Sequence, residues 1–181
     1  MAIIPILETE RLRLRGWRDG DRRPFAALNG DVEAMRFFPR PLAPGESDAL
    51  IDRLTEGWRD RGFGVWAVER REDGAFVGAV GLAKPNFTAF FTPCVEMMWR
   101  LSPAHWGRGY AVEAARASAR FAFDRLSLSE VVAFTFTGNQ PSRRVMERLG
   151  MTHDPAEGFD YPTLPADHPL RPHVLYRLSA R

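Results

Sequence analysis

With 181 residues, 45% of them hydrophobic and 27% charged, the chain has the composition of one compact soluble domain. A chain of this length buries roughly two-thirds of the surface its unfolded form exposes, so its core needs neither a metal nor a disulfide. A formal net charge of +2 excludes an acidic tail protein and is too small to argue for nucleic-acid binding. The single cysteine, Cys94, excludes an intramolecular disulfide and a thiolate metal cluster, and fits a reducing compartment. The opening MAIIPILETERLRLR breaks at Pro5 and lacks the basic start and long apolar run of a signal peptide, and no window approaches the ~18 apolar residues of a membrane span. A cytoplasmic protein is expected.

Arg11 to Arg15 alternate Arg and Leu, the pattern of a half-buried strand. Asp19 and Asp21 offer caps for a short helix over Arg22–Leu28, a second helical stretch covers Val32–Phe37, and the Pro39-Arg40-Pro41 break ends it. A third helix starts near Ser47 and runs to Arg61, with Leu50, Leu54 and Trp58 on its apolar stripe and Gly62 closing it. The period then becomes two. Val65–Glu69 and Ala75–Leu82 read as strands around the turn Glu72-Asp73-Gly74, Lys84–Pro93 as a loop, and Val95–Leu101 as another strand. A long helix follows from about Ala111 to Leu126, then a strand over Ser129–Phe136 and a short helix from Asn139 to Gly150. A proline-rich tail leads to a last strand around His173–Leu178. No repeat or linker divides the chain, and the order of elements reads as one α/β (α+β) unit of three layers over residues 1–181.

The chemistry concentrates in Trp106-Gly107-Arg108-Gly109-Tyr110-Ala111, between a strand and a long helix. Gly107 and Gly109 adopt dihedrals closed to other residues and let the backbone approach a ligand, while the helix start presents free N–H groups and a positive dipole end. That is a site for a phosphate or diphosphate, although two glycines in such a turn are also explained by sterics alone. The nucleotide P-loop needs GxxxxGK followed by Ser or Thr, which is absent. The dinucleotide fingerprint GxGxxG fails because position 112 is Val. Residues 100–148 hold eight Arg against four acids, a surplus suited to a small polyanion rather than a long duplex, and neither an RNP-like strand nor a GxxG clamp is present.

The turn Trp106–Ala111 with Glu113 beyond it, the run Asn139-Gln140-Pro141-Ser142-Arg143-Arg144-Val145-Met146-Glu147-Arg148-Leu149-Gly150-Met151, and the opening Glu8 to Arg15 resemble the GNAT family of N-acetyltransferases. Within it they resemble the branch of ribosomal-protein N-terminal acetyltransferases. The resemblance covers nearly the whole chain. It implies a three-layer α/β/α fold with a mixed, splayed central sheet, and acetyl-CoA as cofactor with no metal. The diphosphate of acetyl-CoA would be held by main-chain amides of Trp106, Gly107, Arg108, Gly109, Tyr110 and Ala111. Trp106 stands where the family usually has a polar residue, which leaves those amides intact. The acyl arm would lie in a gap between the strands Val95–Leu101 and Ser129–Phe136, bordered by Met97, Met98 and Trp99. Asn139 would contact that arm, or simply cap its helix. Arg143, Arg144 and Arg108 would reach phosphates, with surface solvation as the plain alternative.

Acetyl transfer to an amine needs a base, a place for the developing oxyanion, and a proton for the thiolate. Glu96, a charge in an otherwise apolar strand bordering the gap, is the candidate base; its plain alternative is an ion pair with Arg100. Many family members place a tyrosine where this chain has Met146, and a thioether donates no proton. Ser142 matches the serine of the ribosomal-type branch and is the candidate acid, or else satisfies the first helical turn. Cys94 is read as structural, His105 as a phosphate or surface contact, and Glu113 as a dipole match at a helix start. The acceptor is a peptide N-terminus or a small amine, chosen by the helices over Leu28–Arg61, the Lys84–Pro93 loop and the tail. The aromatic surplus there also leaves a homodimer open. The rival reading is a noncatalytic acyl-CoA sensor or structural subunit, suggested by Met146.

Overall fold

The computed structural model describes residues 4–180, so the first three residues of the apolar opening lie outside the description. The strands are β1 (Leu7–Glu8), β2 (Leu12–Arg15), β3 (Val65–Arg70), β4 (Phe76–Ala83), β5 (Glu96–Leu101), β6 (Glu130–Phe136), β7 (Thr152–His153), β8 (Phe159–Asp160) and β9 (Pro172–Ser179). The α-helices are α1 (Arg22–Gly30), α2 (Pro44–Arg61), α3 (Tyr110–Asp124) and α4 (Gln140–Leu149). The sheet order is β1-β2-β3-β4-β5-β6-β9-β7, with β8 also paired to β9. Every pairing is antiparallel except β5 with β6.

Strand alternation sends Leu12, Leu14, Trp66 and Val68 into one core with Met97 and Leu101 of β5 and Tyr110, Ala114 and Ala115 of α3. Val65 and Ala79 point to the opposite face, where Phe25 and Leu28 of α1 and Ile51 of α2 cover the sheet. Helices on both faces make the three layers. Trp58 reaches from the end of α2 to Trp66, ring centroids 4.6 Å apart, and Phe121 stands edge-on to Trp66 at 5.3 Å. A bulge in β4 puts Val77 outside the register between Val68↔Gly78 and Glu69↔Phe76, so Val77 and Val80 face the same core despite odd spacing. β4 also runs so close to β5 that a Cβ at Gly78 would collide with the Arg100 carbonyl.

Two expectations fail locally. Val32–Phe37 is a succession of turns rather than a helix: Asp31 takes the Ala34 N–H on its side chain and the Met35 N–H on its carbonyl, and Phe38 N–H bonds the Met35 carbonyl. The eight residues between Gly30 and Pro39 are too few to offset helix nucleation, and a residue before proline is driven out of the helical region. Asp21 occupies the N-cap of α1 but makes no side-chain cap there. Its carboxylate is taken by Arg15, at 2.7 Å from Nη1 and 2.9 Å from Nη2, while Arg15 Nε donates to Glu69 at 2.5 Å. All three side chains are buried, so the guanidinium is matched by two carboxylates where water cannot serve it.

Candidate active site

β5 ends at Leu101, a 3-10 turn over Pro103–His105 reverses the chain, and Gly107 and Gly109 take φ of 73° and 79° before α3 begins at Tyr110. A Cβ at Gly107 would meet nothing within 4 Å, so this glycine serves backbone conformation rather than space. The first turn of α3 directs unpaired N–H groups outward at the positive end of a helix of 15 residues. The turn is braced from behind: Trp106 Nε1–H donates to the Leu101 carbonyl at 2.8 Å, and Arg11 Nη1 donates to the Arg108 carbonyl at 3.0 Å. The cradle therefore fits a diphosphate by its free amides, its open face and its lack of Cβ atoms at the glycines.

β5 and β6 pair in register at one place, Glu96 opposite Val132, with Val132 N–H on the Val95 carbonyl at 2.9 Å. Beyond it the strands part, as the splayed sheet implied. A cleft of about 770 Å³ occupies the opening and reaches the glycine turn. Met97, 2% exposed, points toward α3, and Met98 points toward α1 and α2, so the two occupy opposite faces. Glu96 shares the face of Met98 and lines the cleft. Among the described residues its carboxylate makes no side-chain hydrogen bond, and burial raises its pKa from 4.5 to about 8. The ion pair with Arg100 does not form; Arg100 instead donates to Asn29.

Glu96, Met97, Met98, Trp99, Trp106, Gly107, Gly109, Tyr110, Ala111, Asn139, Ser142 and Arg144 all line this cleft. Asn139 is also the cap of α4, accepting from Ser142 N–H at 3.2 Å while its Nδ2 donates to Thr135 Oγ1 at 2.9 Å. That grip fixes where α4 starts and so where Ser142 stands. Arg108 and Arg143 are not among the lining residues: Arg108 offers its carbonyl to Arg11, and Arg143 donates to the Tyr176 hydroxyl and the Thr137 carbonyl. Met146 is 1% exposed and closes the cleft floor.

The C-terminal tail supplies a wall of the cleft, where its expected part in choosing the acceptor would place it. Tyr161 stacks on His173, centroids 4.8 Å apart, and meets Phe134 and Phe87 at 6.1 and 5.1 Å. Tyr161 and Glu96 both line the cleft, and burial, then the charge of Glu96, raise the Tyr161 pKa. The surplus of aromatics in the tail was the signal, but it carried no address. Phe37 and Phe38, in the turns that stand in place of the expected helix and just after it, form the opposite wall. Burial pushes the Cys94 thiol up to about 11, leaving it unreactive near neutrality. His105 is held below its usual pKa by burial and then by Arg70. Among the described residues no group of three or more His, Cys, Asp or Glu is placed to hold a metal ion, and no helix is long and apolar enough to cross a membrane.

A sheet parted between parallel strands, opening onto a glycine turn at a helix N-terminus, is the arrangement that the resemblance to N-acetyltransferases implies. The chain belongs to the GNAT family: the acetyltransferase (GNAT) domain model matches residues 11–152. It is 37% identical over 156 residues to the FsC-acetyl coenzyme A-N(2)-transacetylase of Aspergillus fumigatus, covering 82% of this chain and 66% of that protein. Thus it spans just under two-thirds of that relative's length. A crystal structure of an acetyltransferase from Agrobacterium tumefaciens superposes with a TM-score of 0.79 at 29% identity, covering 98% of this chain and 95% of the other. A ribosomal-protein alanine acetyltransferase of Vibrio fischeri shares the fold, with a TM-score of 0.73 at 18% identity and 97% of each chain covered. The domain is therefore an acetyl-CoA-dependent N-acetyltransferase.

Proposed function

We propose that residues 1–181 act as one N-acetyltransferase domain that moves the acetyl group of acetyl-CoA directly to a primary amine, with Glu96 as general base. The observation that carries this reading is Glu96 itself: a carboxylate without a side-chain partner among the described residues, at the point where the sheet parts, with a pKa raised to about 8 by burial. Such a group is matched to taking a proton from an ammonium near neutrality. Acetyl-CoA, when bound, supplies the electrophilic thioester. The amides of Trp106–Ala111 hold its diphosphate, and Met97, Met98 and Trp99 border its arm. Asn139 fixes α4 at the cleft. Arg144 lines the cleft and is placed to meet phosphate charge, Arg108 lies in the turn itself outside the cleft lining, and Arg143 would do so only after leaving the Tyr176 hydroxyl and the Thr137 carbonyl. As the amine nitrogen bonds to the acetyl carbon, Glu96 would accept the proton that the nitrogen loses; as the carbon–sulfur bond breaks, Ser142 would donate its proton to the thiolate and be reprotonated from solvent. The acceptor is a peptide N-terminal amine or a small amine, and the Aspergillus relative, named for transfer to an N(2) position, supports an amine of either kind. We place the reaction in the cytoplasm.

The test is thiol release from acetyl-CoA across a panel of peptides, amino acids and polyamines, with wild-type protein beside Glu96→Gln. Acceptor-dependent release that falls in the variant without loss of acetyl-CoA affinity supports the reading. Acetyl-CoA binding with no acceptor-dependent release from any amine overturns it in favour of a noncatalytic acyl-CoA sensor, the reading that Met146 first suggested.

A further inference from the structure

Arg15, which is buried, and Arg100, which is half-buried with its Nε out of water, are treated differently. Arg15 meets Asp21 and Glu69. Arg100 meets no carboxylate within 4.0 Å among the described residues, and its partners are neutral. Nη1 donates to Asn29 Oδ1 at 2.5 Å, and the guanidinium lies over the Phe38 ring, 4.1 Å from its centroid. Nε–H is buried and has no hydrogen-bond partner at all. Burial lowers the pKa of Arg100 to about 10, so it is still cationic near neutrality.

Leaving a guanidinium out of water with an unmatched charge and an idle donor is costly unless something else completes it. The surroundings hold the group in place. Asn29, fully buried, passes its own Nδ2–H to Ser47 Oγ at 2.9 Å, so a chain from α2 through α1 fixes one edge of the fork. Phe38 covers a face, and Arg100 is one of the residues that line the cleft. Arg100 lies on the same face of β5 as Glu96, four residues on, or about 13 Å along the strand. That face is turned to α1 and α2, whereas Met97 and Leu101, on the other face, pack toward α3, whose first turn forms the phosphate cradle. Glu96 is the sole acidic side chain lining the cleft, against Arg36, Arg100, Arg144 and Arg148.

Resting on the acetyl-transfer reading above, we propose that Arg100 is the recognition site for a carboxylate of the acceptor, so that the substrate class is an amine that also bears a carboxylate. Glu96 then serves the amino end and Arg100 the acid end of one molecule. The fork of a guanidinium fits a carboxylate in two parallel hydrogen bonds, and Nε–H is one of the donors this uses. A polyamine, by contrast, would place a second cation against an unscreened one.

The test uses matched probes: α-, β-, γ- and ε-amino acids and simple dipeptides, each beside its primary amide, assayed for thiol release with wild-type protein, Arg100→Met and Arg100→Lys. Methionine keeps an apolar stem against Phe38, and lysine keeps the charge while losing the fork. At least one carboxylate is expected to exceed its amide in kcat/KM by about tenfold or more, as a charge-assisted contact provides. That ratio should collapse toward one in Arg100→Met and fall severalfold in Arg100→Lys, with KM for acetyl-CoA unchanged. A wild-type preference for amides or polyamines, a ratio that survives both substitutions, or a parallel rise in KM for acetyl-CoA overturns the proposal. If Arg100→Met does not fold, Arg100→Lys decides by the same ratio. Calorimetric titration of the CoA-loaded protein with the N-acetylated carboxylates separates this inference from the one it rests on. Binding that weakens tenfold in Arg100→Met upholds the carboxylate site even if no amine turns over, which would sink acetyl transfer alone. No carboxylate binding by the wild type overturns the site.

Discussion

Arg11 and Glu113, 102 residues apart in the chain, are joined three ways: Arg11 donates its backbone N–H at 2.9 Å, its Nε at 2.7 Å and its Nη2 at 2.5 Å to the one carboxylate. Thr9 Oγ1–H adds a fourth donor at 2.6 Å. Since Arg11 also holds the Arg108 carbonyl, this cluster ties the segment before β2 to the phosphate turn. Burial alone would raise the Glu113 pKa; the Thr9 hydroxyl and the Arg11 donors overcome it and hold the pKa below the usual value. A carboxylate so depressed contributes stability above the ordinary carboxylate range and loses it as pH falls through its folded value. Glu113→Ala should therefore cost about 1–3 kcal/mol by urea unfolding near neutrality, leaving donors stranded. The difference from wild type should shrink in acid. A variant equally stable at both pH values would show the cluster to be incidental.

Gly109→Val should abolish acetyl-CoA binding while sparing the fold. A left-handed φ of 79° costs a β-branched residue about 1–2 kcal/mol, which a domain of this size tolerates. The added side chain, however, stands where the main chain must approach a phosphate. Calorimetry should find affinity reduced at least tenfold with the circular dichroism spectrum unchanged. Unaltered affinity would remove the turn from the cofactor site.

Activity limited by Glu96 should rise with pH through about 8, because the base works only when ionised. Glu96→Gln should erase that limb and lower kcat/KM by roughly 10²-fold or more. The same raised pKa has a stability consequence of opposite sign to that of Glu113. The folded protein holds this proton more tightly than the unfolded chain, so Glu96 makes stability decline as pH climbs from 4.5 to about 8. Glu96→Gln should flatten that decline. An unaltered rate profile would clear Glu96 of the base role.

Two hydroxyls at the cleft compete to protonate the leaving thiolate. Ser142 is held by the Asn139 cap, and Tyr161 enters from the tail. If Ser142 is the acid, Ser142→Ala should lower kcat about 10-fold to 10²-fold with little change in KM for acetyl-CoA, and Tyr161→Phe should be nearly silent. The reverse pattern would transfer the role to Tyr161.

The glycine turn, the helix behind it and the charged residue in β5 were legible because each depends on near neighbours: a φ above zero, a helix start, a break in strand alternation. Gly62 and Gly150 close α2 and α4 with φ of 73° and 80°, as glycine after an apolar stripe suggested. What stayed hidden depends on partners remote in sequence. Asp21 looked like the cap of α1 because nothing local reveals that Arg15, which also holds Glu69, takes its carboxylate. Phe37 fell at the end of the expected helix Val32–Phe37, yet it and Phe38 became a cleft wall in the turns before Pro39. Tyr161 could be counted but not located, since long-range pairing of β8 and β9 decides where the tail returns. Arg100 was visible only as a neighbour for Glu96, and its idle Nε–H is a property of the packed molecule alone.

The lone register pair between Glu96 and Val132 has a mechanical meaning. The two halves of the sheet are stitched there and run free beyond, so the β6-facing edge of β5 keeps main-chain groups that no strand satisfies. A pantetheine arm laid along that edge would act as a splint across the seam. Even a short acyl-pantetheine without the nucleotide should then slow amide exchange on β5 and β6 together, as one joint tightening rather than two strands stiffening separately.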